Sequence, residues 1–256
     1  MTMEEAELER LRLAMQTAPA DVEAHLALLQ GLVTGEYWEE AETVGDALLQ
    51  HETPPEASHA LLGVVYAKRA RLQEAAEQCR QALSFNADDA LVLFNLGTVL
   101  ARQGEYEEAR QMLEQAKARQ EVWAELYFNL GVVALHQGRY NDALDAFESA
   151  TEQREGYAEA HFSRGNVHAV KGLGVDGSLD YYEIDCAINA YKAAVQHRPQ
   201  YTAALYNLGM LYGRMSSSEG VRVWEQYLEA AQELEAEATW RMRAQEYKRD
   251  LEDRLR

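Results

Sequence analysis

Apolar residues recur along most of the chain at intervals of three, four and seven, the spacing that lays one stripe along an α-helix. Leu93, Leu96, Gly97 and Leu100 form one such stripe. Ala109, Leu113 and Ala116 form a second, after a short polar break containing Gly104. The pattern predicts helices in pairs, each pair a helical hairpin. Long runs of Val, Ile and Thr, the material of strands, are absent, whereas Ala, Leu, Glu and Gln favour helix nearly everywhere.

The hairpins repeat. LFNLGTVLARQGEYEEA at residues 93–109 returns at residues 127–143 as YFNLGVVALHQGRYNDA, with each shared residue 34 positions from its twin. The same phase links Gly63, Gly97, Gly131 and Gly165; Ala41, Ala75, Ala109 and Ala143; and Trp38, Leu72, Tyr106 and Tyr140. A fixed period in this range marks a stacked-repeat protein. Units start at Val22, Glu56, Ala90, Ala124 and Ala158; the phase then slips by ten residues and resumes with Asn207, Leu208 and Gly209. The expected organisation is an N-terminal capping helix (1–21), repeats at 22–55, 56–89, 90–123, 124–157, 158–201 and 202–235, and a C-terminal capping helix (236–256). The fifth repeat carries the ten-residue insert near 172–181.

Small residues in each unit let two helices approach closely, and one hairpin cannot bury both of its faces without a neighbour. The unit from Ala124, with Tyr127, Leu130, Gly131, Tyr140, Ala143, Phe147 and Ala150, resembles the tetratricopeptide repeat family, and Pro199 supplies that pattern's closing proline one unit later. The resemblance spans roughly residues 20–235. It implies an all-α, right-handed superhelical solenoid of about six helical hairpins with a concave inner surface. Departures are Leu29 where glycine is expected and a one-residue gap in the last unit. Residues 4–17 read as an orphan second helix, with Pro19 as its unit-closing proline. Residues 236–256, with Trp240, Met242, Tyr247, Leu251 and Leu255, read as a helix shielding the last hairpin; whether residues 221–256 form one helix or two is open, since neither Gly nor Pro interrupts them.

A net charge of −19 opposes binding to nucleic-acid phosphates, so no nucleic-acid partner is expected; surface carboxylates serve solubility or attract a basic protein segment. The N-terminal stretch is acidic and amphipathic rather than a leader peptide, and no run of about 20 apolar residues suits membrane insertion. A cytoplasmic protein is expected. Cys79 and Cys186 make neither a disulfide framework nor a metal site, and Cys79 falls on an apolar stripe as a small core residue.

The resemblance implies that one face of each first helix lines the inner surface. Helical spacing puts Phe94, Asn95 and Thr98 there, then Phe128 and Asn129, then Phe162 and Asn166, then Tyr206 and Asn207. Phe94, Phe128, Phe162 and Tyr206 form an aromatic ladder that stands off the hairpin-packing stripe. In one reading it is a groove for an apolar or amphipathic peptide, the asparagines gripping its backbone. In the other the rings lean into the next hairpin and the asparagines are ordinary repeat residues. The family's carboxylate clamp is missing, because its places hold Ala60, Phe94 and Phe128, or Glu125 and Glu159.

Gly172, Gly174 and Gly177 spell GxGxxG, but a helix precedes them where a dinucleotide site needs a strand. Asp176, Ser178, Asp180, Glu183 and Asp185 do not follow a calcium loop's order. The insert reads as a lengthened turn with Ser178 capping a longer second helix. His25, His59 and His161 share one early packing position, which favours a structural role. No enzyme, cofactor or metal is expected. The expected function is a protein-interaction scaffold or adaptor for a protein or peptide partner. The alternative is a self-assembling protein whose groove or terminal helix builds a homo-oligomer, and a third reading is an enzyme or metal protein using the insert.

Overall fold

A computed structural model describes residues 3–18, 21–52, 54–119, 123–174, 177–232 and 234–256. Pro19 and Asp176, both singled out from sequence, lie outside the described residues. Among these the chain is all-helical, in two compact units. The first, within residues 1–122, holds α1 (Met3–Thr17) and the hairpins α2–α3 (Val22–Thr34, Trp38–Leu49), α4–α5 (Glu56–Lys68, Leu72–Phe85) and α6–α7 (Ala90–Gln103, Tyr106–Ala118). The second, residues 123–256, holds α8–α9 (Ala124–His136, Tyr140–Gln153), α10–α11 (Ala158–Gly172, Tyr181–His197), α12–α13 (Thr202–Arg214, Glu219–Ala230) and α14 (Ala238–Leu255).

Local chemistry sets the helix ends. Asp21, Asp89 and Asp180 each precede a helix, and each carboxylate accepts two backbone N–H groups of the first turn. At the far end, the backbone N–H groups of Tyr37, Arg71, Glu105, Arg139 and Ser217 donate to carbonyls five residues back, at 2.9–3.0 Å. That closure needs a left-handed residue just before the donor. Gly104 and Gly138 supply it at φ 85° and 72°, whereas Glu36, Ala70 and Ser216 adopt it with a side chain, at 61°, 60° and 50°.

One pair of positions fills each hairpin. A glycine on the first helix faces a larger residue on the second: Gly63 faces Cys79, Gly97 Leu113, Gly131 Phe147, Gly165 Tyr191 and Gly209 Trp224. A Cβ built on any of these glycines would lie 2.6–2.7 Å from its partner. The partner grows along the chain from thiol to indole, so the glycine keeps one backbone geometry open to fillings of different size. The first hairpin inverts the arrangement: buried Leu29 stands on α2, and Gly45 on α3 makes room for Leu62 of the next hairpin. Cys79 is fully buried, as its place on an apolar stripe suggests.

The insert lengthens α10 and α11 and turns tightly between them. Leu173 and Leu179 form a β-bridge, Gly174 N–H donates to the Ser178 carbonyl at 3.0 Å, and Asp180 N–H donates to the Gly172 carbonyl at 2.9 Å. The expected cap at Ser178 is corrected: Asp180 caps α11, its carboxylate accepting from the N–H groups of Tyr182 and Glu183 at 3.1 and 3.3 Å. Ser178 lies two residues too early for those donors. At the root of the insert Glu183 bridges His168 and Lys171, each 2.7 Å away.

Residues 221–256 form two helices. A single 3-10 turn, Glu235–Glu237, separates α13 from α14. Arg241 holds the break by donating to the carbonyls of Ala231, at 3.1 Å, and Gln232, which ends α13 without Gly or Pro. Helix α14 packs on α12 and α13 through buried Ala244 and Leu251, while Met242 stays 67% exposed.

Candidate functional site

In the second unit each ladder aromatic meets at least two other rings. Phe128 on α8 lies 5.7 Å from Phe147 and 5.1 Å from Tyr157. Phe162 on α10 lies 5.8 Å from Tyr191 and 5.0 Å from Tyr201. Tyr206 on α12 meets Trp224, Tyr227 and Trp240 edge-on at 5.3, 5.6 and 5.3 Å. These separations suit favourable aromatic pairing. Each outer ring carries a guanidinium: Arg154 lies 3.7 Å from the Tyr157 ring, Arg198 4.8 Å from Tyr201, and Arg243 5.1 Å from Trp240. The first two arginines are fixed at both ends. Each accepts a turn hydrogen bond at 3.0 Å from its tyrosine's N–H, and each pairs with the glutamate of the hairpin it closes, Glu125 or Glu159.

The expectation that the ladder stands off the hairpin stripe is therefore revised for Phe128, Phe162 and Tyr206. Each touches the very residue that fills its own hairpin, or in the case of Tyr206 that residue and its neighbour. The rings are nevertheless half-buried, so one side of each remains open. Burial raises the Tyr206 phenol above its ordinary value of 10 and keeps it a neutral donor.

Beside the rings the amides form a cluster. Asn166 Oδ1 accepts from Tyr191 OH at 2.8 Å and from Asn207 Nδ2 at 3.0 Å. Burial raises the Tyr191 phenol well above 10, which keeps the hydroxyl proton in place. This arrangement turns the remaining amide groups, Asn166 Nδ2 and Asn207 Oδ1, into one donor site and one acceptor site. Asn166 and Asn207 line a cavity of about 420 Å³ together with Val170, Leu173, Tyr206, Met210 and Arg214. A second cavity, about 290 Å³, shares Tyr206 and Asn207 and is closed by Thr202, Tyr227, Glu237 and Trp240. The insert supplies Leu173, so it forms part of the first cavity's wall.

A sequence profile described as tetratricopeptide repeat matches residues 88–156. The solved structure of PilF from Pseudomonas aeruginosa is 21% identical, with a TM-score of 0.66, covering 90% of this chain and 97% of its own. MamA is 21% identical at a TM-score of 0.59, over 69% of this chain and 92% of its own. YrrB, described as a repeat protein with an unusual peptide-binding site, is 20% identical at 0.56, over 75% and 92%. Residues 88–156 thus carry the tetratricopeptide repeat pattern, and the described helices share the fold of these repeat structures. At these identities the solved structures speak for the fold. No curated protein sequence matches the chain.

The nine residues singled out from sequence fall on first helices. Phe94, Asn95 and Thr98 are half-buried on α6 of the first unit, where Thr98 Oγ1 donates to the Phe94 carbonyl at 2.9 Å. Phe128 and Asn129 lie on α8, Phe162 and Asn166 on α10, and Tyr206 and Asn207 on α12, all half-buried. Of these, Asn166, Tyr206 and Asn207 are brought together at one cavity. Sequence reading missed Tyr157 and Tyr201, although both had a signal: each immediately precedes a first helix, as Trp123 does, whereas Trp240 was read as part of the helix shielding the last hairpin.

The three histidines singled out from sequence pack against neighbouring groups. His25 and His161 are buried, His161 stacks on His197 at 5.4 Å, and His59 bonds Gln78 and stacks on Phe85. Among the described residues no three His, Cys, Asp or Glu side chains are grouped to hold a metal, and no helix is long and apolar enough to cross a membrane.

Proposed function

We propose that the protein is an interaction scaffold that takes an extended peptide segment of a partner across the α10–α12 face of the second unit. The amide pair of Asn166 and Asn207 carries this reading: one N–H donor and one C=O acceptor at a cavity match the C=O and N–H of a single peptide unit. The half-buried rings of Tyr206, Phe162 and Phe128 offer apolar surface beside it. Val170, Leu173 and Met210 give one apolar side chain a place. Asn129 presents the same residue type on α8 and would read a further residue of the segment, while Phe94, Asn95 and Thr98 offer a face of like residues on α6 of the first unit, taken by itself. The repeat family and the description of YrrB favour a protein ligand over a small substrate.

The test is selection from a random peptide library by the wild-type protein, followed by titration against Val170→Asp and Asn207→Ala variants whose folding is checked by circular dichroism. Selected peptides are expected to lose about five- to a hundredfold in affinity for Asn207→Ala, since an amide left unpaired costs about 1–3 kcal/mol, and to lose affinity for Val170→Asp, which puts a charge on the apolar wall. Peptides that bind all three proteins equally would place the surface elsewhere. A mass that rises with protein concentration in light scattering, and falls when the groove is mutated, would favour self-association.

A further inference from the structure

The α12 stripe of Ala203, Tyr206, Asn207, Met210 and Arg214 follows helical spacing of three and four, so these residues share one face. A cavity lies at each end of that stripe, and the two differ in charge. Among the described residues the wall of the first has a single charged member, Arg214, near the end of α12. The wall of the second has Glu237, beside Thr202 at the start of α12. Glu237 is positioned by hydroxyls, accepting from Tyr227 OH at 2.7 Å and Thr202 Oγ1 at 3.4 Å. The nearby cations are engaged otherwise: Arg241 donates to the carbonyls that end α13, and Arg243 lies over the Trp240 ring.

We infer that the segment taken by this face is charge-polarised, with a basic side chain toward Glu237, an acidic one toward Arg214 and apolar residues between. The inference rests on the peptide-binding reading above. Its spacing comes from the helix: Thr202 to Arg214 covers roughly 18 Å at a rise of about 1.5 Å per residue. An extended chain, at roughly 3.3 Å per residue, spans that in five or six residues. Charge balance in the ligand also has a physical reason. A purely acidic segment is repelled by a chain of net charge −19, and a purely basic one meets Arg214 at the apolar cavity. A segment with one charge of each sign escapes both penalties.

Four fluorescein-labelled ten-residue peptides of Ala and Leu test this by anisotropy: one with Lys and Glu six positions apart, one with each charge singly replaced by Gln, and one with both replaced. The proteins are wild type, Arg214→Gln, Glu237→Gln and Val170→Asp, with folding followed by circular dichroism. Each charge is expected to tighten wild-type binding roughly two- to fivefold, the range of an exposed ion pair. Arg214→Gln should erase the benefit of Glu alone, Glu237→Gln that of Lys alone, and Val170→Asp should weaken all four peptides. Equal binding of the four peptides to wild type, with loss in Val170→Asp, overturns the polarity and leaves the groove standing. Charge effects that persist in both glutamine variants overturn it as well. Failure of all four peptides to bind, or binding unchanged in Val170→Asp, overturns the groove together with its polarity.

Discussion

Phe147 occupies the space that a side chain on Gly131 would need: a Cβ there would lie 2.6 Å from the ring. The hairpin of α8 and α9 therefore depends on a pair, a missing methyl and a large ring. Gly131→Ala is expected to destabilise the protein by about 1–3 kcal/mol, the usual cost of overpacking. Phe147→Leu in the same chain should recover part of that loss, because it removes the atoms that clash. A double-mutant cycle in urea checks this, and strictly additive effects would mean that the two sites do not share the space.

Ala70 closes α4 at φ 60°, where Gly104 and Gly138 do the same task for α6 and α8 without a side chain. A Cβ in the left-handed region costs about 1–2 kcal/mol, against about 0.4–1 kcal/mol for the added freedom of glycine in the unfolded chain. Ala70→Gly should thus stabilise by about 0.5–1 kcal/mol. The readout is a higher urea midpoint at unchanged slope. Gly104→Ala should move the midpoint the other way.

The period of 34 made the hairpins legible, because each unit needs the same small and large residues to stack. The positions of Gly97, Gly131 and Ala109 report that need directly. What was not legible is contact between residues far apart in sequence. Phe162 meets Tyr201 across a whole second helix and the insert, and a helical stripe drawn for α10 alone leaves that ring looking free. The break between α13 and α14 was hidden for a related reason: a guanidinium, Arg241, ends the helix in place of the Gly or Pro that a local reading looks for. The amide cluster joins Asn166 to Asn207 across 41 positions, with the insert shifting the register between them, so neither residue announces the other.

Glu183 ties the insert to the array. Burial pushes its carboxyl up, but hydrogen bonds from His168 and Lys171 outweigh burial and hold it below the ordinary value of 4.5. A depressed carboxyl contributes stability that is present above the ordinary value and is lost as pH falls through the folded value. Glu183→Gln is expected to cost about 1–2 kcal/mol at neutral pH, since it takes from Lys171 its carboxylate partner and leaves it the Asn141 amide, while a part-exposed site limits the loss. The same substitution should flatten the decline of thermal stability below pH 4.5. An unchanged acid limb would show that the bridge carries no linkage.

His161 gives acid sensitivity in a higher window. Its Nε2 faces the Glu155 carbonyl at 2.9 Å, which assigns the proton to Nε2, and Nδ1 is buried without a hydrogen-bond partner among the described residues. Burial lowers the imidazole below its ordinary value of 6.5, the neighbouring Arg164 and stacked His197 acting in the same direction against the Glu155 carbonyl. As pH falls through 6.5 the unfolded chain takes up a proton that the folded chain resists, so stability declines. This decline begins about two pH units before that of Glu183. Leu93 fills the equivalent place in the third hairpin and is buried there, so His161→Leu keeps an apolar packing residue at the position. The variant is expected to lose the decline that sets in as pH falls through 6.5 while keeping the one below 4.5. If urea midpoints of the variant and the wild type run parallel across that upper window, the imidazole is not the group that titrates.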